Sequence, residues 1–361
     1  MSTNIITANV RVNVRLNIKR FINMPKRATL KQVASLAGVS YQTVSKVLNG
    51  NKQVSKETEA RIWDAVRTLG YYPDAKAQNL RTQCSRMIGY SWAPLPEDQS
   101  NPILDHFLQS MMQAAERAGY HLLPFAHQDN FYEIEPYREL IQAGHVDGFI
   151  LSSIIYDDPR IAFLQKQNFP FVAFGRSDPT CEFPYVDVDG SAGMSLVTRL
   201  LLSRGHRKIA ALAWSESSRV GQDRLRGYLN TLEQAGIPAS AAWIARGEGS
   251  FAFGRQATLN WLDCPAPERP TAIVALDDLT AIGAMQAARE RGLRAGVDVA
   301  ITGFDDTPMA PYVTPPLTSV RQPIGEIGHR VIDILISTLE GTPPVDSHVL
   351  LEPQLVIRDS S

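Results

Sequence analysis

Seven short apolar runs punctuate residues 87–304: MIGYSW, YHLLPFA, DGFILSS, FPFVAFG, KIAALAW, TAIVAL and VAITGF. Each is continuous rather than alternating, and stretches of helical periodicity separate them. A strand that is apolar on both faces is covered on both. Such strands alternating with helices build parallel sheets between helical layers. The runs fall into two successive sets, before and after about residue 187. The expected fold of this part is α/β, two doubly wound parallel-sheet subdomains with a ligand cleft between them, because sites in these sheets form beyond the carboxyl ends of the strands. Fold alone leaves the activity open, since solute-binding proteins and enzymes share this layering.

Ahead of this region the periodicity changes to that of short helices. Thr29-Leu30-Lys31-Gln32 has capping-box spacing: the Thr hydroxyl can cap the Gln amide while the Gln side chain reaches back. Leu30, Val33, Ala34 and Ala37 mark one apolar face, and Gly38 ends the helix by taking a left-handed turn at no steric cost. Ser40 caps a second helix, SYQTVSKVLNG, with Val44, Val47 and Leu48 inward and Tyr41, Gln42, Ser45 and Lys46 outward. A third follows from Ser55, carrying Ile62, Val66 and Leu69. Two short helices joined by a glycine turn, the second with a polar outer face, are the arrangement of a DNA-reading helix-turn-helix. A generic three-helix bundle with a solvated second helix has the same spacing.

Residues 1–85 hold 14 Lys and Arg against Glu57, Glu59, Asp64 and Asp74, a net charge of +10, and the remainder holds 22 against 33, a net of −11. An asymmetry of that size favours a polyanion at the basic end, with a solvated basic tail as the plainer alternative. Cys84, Cys181 and Cys264 have neither paired nor metal-ligand spacing, which fits a reducing cytosol. No apolar run reaches the roughly 18 residues of a membrane span. Residues 1–23 lack the apolar core of a secretory signal and show no helical stripe, so 1–25 read as a disordered extension and Met24 as a candidate start.

After Gly70-Tyr71-Tyr72-Pro73 comes DAKAQNLRTQ, polar apart from Ala75, Ala77 and Leu80 and too short to hold a helix alone in water. An exposed Leu on such a segment can wedge into a minor groove and kink the duplex, although an ordinary linker would have the same composition.

At this point the chain resembles the lac/gal repressor family of transcription regulators. ATLKQVASLAGVSYQTVSKVLNG and VSKETEARIWDAVRTLGYYPDAKAQNLR match its headpiece and hinge, and RGHRKIA, DRLRGY, ALDDLTAIGAM, ITGFDDTPMA and PPLTSVRQP continue the match, over about residues 27–358. The resemblance implies a headpiece over 26–73, a hinge helix and linker over 74–85, and an effector-binding and dimerisation domain over 86–361 of the periplasmic-binding-protein kind, with chain crossings near 187, 318 and 348. It implies DNA contacts from Thr29, Ser40, Tyr41, Gln42, Thr43, Ser45, Lys46, Asn49, Lys52, Tyr71, Ala77 and Leu80. The hinge would fold only when two chains pair over operator DNA, with Leu80 of each entering the central step. Lys46 is a point donor rather than a bidentate fork, which loosens the base preference at its position.

Candidate effector groups follow the strand ends: Trp92 and Ala93, Arg176, Arg224 at a helix entrance, Phe251 in a later loop, Asp277 and Asp305. Guanidiniums facing carboxylates fix vicinal hydroxyls while a flat ring covers a sugar face, so the set suits a polyhydroxylated sugar. Taken alone, Arg224, Asp277 or Asp305 could equally be a salt-bridge or helix-cap residue. Arg224, Phe251, Asp277 and Asp305 stand where the family's effector contacts stand. The chain departs from the family at Asp277, where Asn is frequent, and at Gly175, where sugar-binding members often carry Asp.

None of the seven histidines has clustered ligand spacing, and neither a phosphate-cradling loop nor a nucleophile elbow occurs. The expectation is therefore a chain with no catalytic residue, metal or cofactor, not an enzyme but a cytoplasmic, nucleoid-associated regulator, in the main a repressor. As a homodimer it would set two recognition helices in successive major grooves of a pseudo-palindromic double-stranded operator, its affinity controlled by a small-molecule effector. A solute-binding protein for transport would need an export signal and no headpiece. The lack of leucine heptads after Arg358 argues for a dimer over a tetramer.

Overall fold

The computed structural model describes residues 28–48, 54–72, 84–92, 101–126, 133–178 and 180–361. The chain divides into two units, residues 1–83 and 84–361. In the first, α1 (Leu30–Ala37), α2 (Tyr41–Leu48) and α3 (Lys56–Leu69) follow the apolar spacing. The capping box of α1 is formed: the Gln32 amide donates to Thr29 Oγ1 at 3.3 Å, and the Thr29 amide donates to Gln32 Oε1 at 2.8 Å. Gly38 has φ 63°, and Gly70, closing α3, has φ 57°. Val33, Val44 and Ile62 are fully buried where the three helices meet, joined by Ala34, Ala37, Val47, Ala65 and Tyr71.

In the second unit β1 (Met87–Trp92), α4 (Pro102–Arg117), β2 (His121–Ala126), α5 (Glu135–Gln142), β3 (Gly148–Leu151), α6 (Pro159–Lys166), β4 (Phe171–Phe174) and β5 (Tyr185–Val188) open the first subdomain. The second comprises α7 (Gly190–Ser203), β6 (Ile209–Trp214), α8 (Arg219–Gln234), β7 (Ile244–Gly247), α9 (Phe251–Leu262), β8 (Ala272–Ala275), α10 (Asp278–Glu290), β9 (Ala300–Asp305) and β10 (Thr318–Arg321). The chain then returns for α11 (Ile324–Leu339) and β11 (His348–Leu351), and ends with β12 (Gln354–Val356).

The sheets run β11-β5-β4-β3-β1-β2 and β12-β10-β9-β8-β6-β7. Every neighbour is parallel except β12, which is antiparallel to β10. Three crossings join the subdomains, after β5, after β10 and between β11 and β12. The expected positions 187, 318 and 348 fall inside those strands, and the chain passes over at their ends, near 189, 322–323 and 352–353.

All seven apolar runs form strands, and both faces of each sheet are covered. Phe107, Met111, Val331 and Leu335 fill one face of the first sheet, and Tyr137, Phe149, Ile161 and Leu164 the other. Leu201, Leu225, Tyr228 and Phe304 pack one face of the second, and Trp261, Leu262, Ala284 and Ile301 the opposite one. Burial of continuous apolar strands from two sides is the source of their cohesion, at roughly 25 cal/mol per Å² of apolar area.

Candidate functional site

The carboxyl ends of both sheets open onto a cavity of about 400 Å³. From the first subdomain it is lined by Ile103 and Leu104 at the start of α4, Ser153, Ile154 and Ile155 after β3, Phe174 and Gly175 at the end of β4, and Asp187 on β5. From the second come Trp214 at the end of β6, Arg219, Asp223 and Arg224 on the first turns of α8, Phe304 and Asp305 at the end of β9, and Gln322 after β10. The walls are unlike: the first subdomain supplies mainly apolar side chains, the second mainly polar and charged ones.

Arg224 is 5% exposed. Its guanidinium lies 3.8 Å from the Phe304 ring centre and 5.1 Å from that of Trp214. It ion-pairs with Asp305 at 3.3 Å and donates to the Leu276 carbonyl, while its buried Nε has no hydrogen-bond partner among the described residues. Room for this packing comes from glycine: a Cβ at Gly193 would sit 2.7 Å from the Phe304 ring. Asp305 accepts from Gln322 Nε2 at 2.6 Å. Burial pushes its carboxyl up to about 7; Arg224 opposes the rise, and Asp278 and Asp277 reinforce it. Its φ is 111° and that of Asp306 is 48°, conformations that cost a non-glycine residue about 1–3 kcal/mol and gather at binding sites. Neighbouring ties over-determine the turn: Asp306 ion-pairs with Arg321 and Arg358, both at 2.7 Å.

Ion pairs also bridge the subdomains at the cavity rim. Arg176, just past β4, donates to Asp187 Oδ2 at 2.7 Å and to Asp223 Oδ2, on α8, at 2.9 Å. Arg219 of α8 donates to the Ser177 carbonyl at 3.3 Å. Burial raises the Asp187 carboxyl, and Arg176 opposes that rise. In the first unit the outer face of α2 presents Tyr41, 51% exposed, with exposed Gln42 and Lys46. The Ser40 hydroxyl accepts the Thr43 amide at 3.1 Å, securing the start of that helix.

Residues 29–74 match the family described as bacterial regulatory proteins, lacI family, and residues 198–361 match a periplasmic binding protein-like domain. A regulatory protein of the LacI family from Chloroflexus aggregans is 54% identical, covering 76% of this chain and 98% of its own, with a TM-score of 0.74. The chain belongs to the lacI family. The transcriptional regulator CelR in complex with cellobiose is 30% identical, covers 93% of this chain and 100% of its own, and has a TM-score of 0.70. A lac repressor dimer bound to operator and an anti-inducer is 29% identical over 93% and 99%, with a TM-score of 0.80. As a lacI-family member the chain is an effector-controlled DNA-binding transcriptional regulator, with the helix-turn-helix and paired parallel-sheet architecture of its kin.

Of the expected effector groups, Arg224 and Asp305 meet in the cavity. Arg176 stands at its rim, outside the lining itself, bonded to the lining residues Asp187 and Asp223. Asp277 caps α10 and accepts the Trp214 indole N–H. Trp92 and Phe251 are not among the lining residues: Trp92 packs edge-on against Tyr90 with ring centres 6.1 Å apart, and Phe251 begins α9 partly exposed to solvent. Ala93 lies outside the described residues, as do Asn49, Lys52, Ala77 and Leu80.

Of the remaining DNA-contact expectations, Thr29 is exposed at its capping box, and Thr43 and Ser45 are half-buried on α2. Tyr71 is 8% exposed within the headpiece core, so its ring serves packing there. Most of the lining lies outside the expected set, Trp214, Asp187 and Gln322 among it. Trp214 closes a recognised run and carried the same strand-end signal as Trp92, whereas Asp187 and Gln322 sit on or beside four-residue strands with little apolar signal.

Proposed function

We propose that two copies of this chain pair over a pseudo-palindromic operator at the nucleoid and repress transcription, with a neutral sugar in the cavity setting operator affinity. Tyr41, Gln42 and Lys46 read base edges while Ser40, Asn49 and Lys52 meet phosphates. The observation that carries the effector reading is Arg224: a buried guanidinium whose Nε has no partner among the described residues, flanked by two rings and a carboxylate in the cavity wall. A cation that cannot lose its proton requires such compensation, and vicinal hydroxyls complete it. Neutrality follows from pairing: Arg176, Arg219 and Arg224 are matched by Asp187, Asp223 and Asp305. An anionic ligand would have to break one of these pairs. The cellobiose bound to CelR and the operator bound to the lac repressor dimer support the same reading.

Sugar binding changes the angle between subdomains, and the hinge segments carry that change to the DNA with a coupling on the order of 1–3 kcal/mol. The test selects an operator from random duplexes and measures its affinity by fluorescence anisotropy with and without neutral mono- and disaccharides. Arg224→Ala abolishes the response and keeps operator affinity. Collapse of operator binding in the variant, without any sugar, would make Arg224 a structural residue and defeat the reading.

A further inference from the structure

A sugar cavity needs a flat apolar surface for the C–H face of the ring, and Phe251 does not line this one. Trp214 does. Its orientation is set from several directions. The indole N–H donates to Asp277 Oδ2 at 2.7 Å. The same carboxylate caps α10, taking the Thr280 amide on Oδ1 at 2.7 Å and the Thr280 hydroxyl on Oδ2 at 2.8 Å. Both oxygens of this buried side chain are therefore engaged by the protein.

Asn at this position would offer a single acceptor oxygen and turn an amide N–H₂ towards one of the three donors. Two glycines make the space: a Cβ at Gly221 would lie 2.9 Å from Trp214 Cβ, and one at Gly249 would lie 2.9 Å from the indole nitrogen and 3.0 Å from Asp277 Oδ2. The Arg224 guanidinium stands over the ring at 5.1 Å.

We propose that Trp214 is the stacking platform for the effector's ring, and that Asp277 is a positioning residue that fixes the indole rather than a ligand contact. This rests on the cavity being the effector site. The π face of an indole is electron-rich and meets the polarised C–H face of a pyranose, so ring orientation selects which sugar face can seat against it. The two acidic neighbours then divide the work: Asp305 beside Arg224 receives hydroxyls, and Asp277 holds the ring.

The experiment titrates D-glucose, D-galactose, cellobiose and maltose into the full chain while following tryptophan emission, with the Trp214 component taken by difference from Trp214→Phe. The sugar that binds shifts the Trp214 component. Trp214→Ala weakens its binding roughly tenfold, and Trp214→Phe less. Asp277→Asn keeps the cap oxygen for the Thr280 amide and gives up the acceptor that the indole shares with the Thr280 hydroxyl, and the Trp214→Phe background separates those two contacts. Asp277→Asn raises acrylamide quenching of the Trp214 component without sugar and weakens sugar binding, yet adds nothing in the Trp214→Phe background.

Binding that survives Trp214→Ala but is lost in Arg224→Ala overturns the platform and leaves the cavity reading standing. Binding that survives both removes the cavity reading and the platform with it, as does failure of all four sugars to bind the unaltered chain. Unchanged quenching in Asp277→Asn overturns the positioning role.

Discussion

The carboxyl of Asp305 gives a test of the cavity wall that needs no ligand. Burial lifts it to about 7 in the folded chain, against the partial opposition of Arg224. With about 3.9 for an aspartate in the unfolded chain, the displacement corresponds to about 4 kcal/mol. The group's folded pKa is raised, so its contribution to stability is fully present below about pH 4 and is lost as pH rises towards 7. Asp305→Asn does not titrate. The difference in unfolding free energy, variant minus unaltered chain, should therefore climb with pH across that window and level off above it.

At the acid end the variant stands close to the unaltered chain, because a protonated carboxyl and an amide both offer a neutral acceptor to Arg224 and Gln322. The two curves should thus start close together and separate as pH rises, the variant becoming the more stable. Urea unfolding followed by fluorescence and circular dichroism at half-unit steps between about pH 4 and 8 measures the difference, in which groups common to both chains cancel. A difference that stays flat, or that falls with pH, would show that pairing with Arg224 outweighs burial and would refute the argument.

Two other perturbations address the rim and the hinge. Asp223→Asn removes the carboxylate that joins Arg176 to α8 while Arg176 keeps Asp187. Amide exchange around 176–178 and 219–223 should accelerate on the order of tenfold, the scale of one charge-assisted hydrogen bond, with β9 unchanged; acceleration everywhere would mean general destabilisation instead. Leu80→Ala should weaken binding to a selected operator strongly and leave random DNA nearly unaffected, because only the specific complex kinks the duplex; equal losses on both would reduce the segment to a tether.

The strands that were legible in the sequence and those that were not differ in how they are buried. IAALAW and AIVA stand near the middle of the second sheet, covered from both sides, and their composition says so. The five strands that gave no such signal, β5, β7, β10, β11 and β12, are three or four residues long. β7, β11 and β12 lie at sheet edges with one side open, so their residues are mixed in character. β10 is interior yet polar, because its fully buried hydroxyls are satisfied by distant groups: Ser319 Oγ donates to Asp278 Oδ1 at 2.5 Å, and Thr318 Oγ1 donates to the Arg358 carbonyl at 3.0 Å. A strand held by hydrogen bonds to residues 40 or more positions away leaves no local pattern to read.

The candidate site divides along the same line. Arg224 and Asp305 could be placed from motif strings, since each stands at a fixed offset from a strand end. The aromatic surface could not. Trp92 closes β1 and Trp214 closes β6, and the two strands occupy equivalent places, β1 between β3 and β2 and β6 between β8 and β7. Local sequence offers two strand-end tryptophans with the same claim on the cavity. What separates them is the partner each finds. Trp92 meets the edge of Tyr90, two residues back on its own strand, and settles into the core of its subdomain. Trp214 meets a carboxylate 63 residues further along, at the head of the helix that follows β8, and that bond holds the indole where the cavity reaches it. The ring's direction is thus decided by sheet order, which brings the ends of β6 and β8 side by side, and only secondarily by the residue itself.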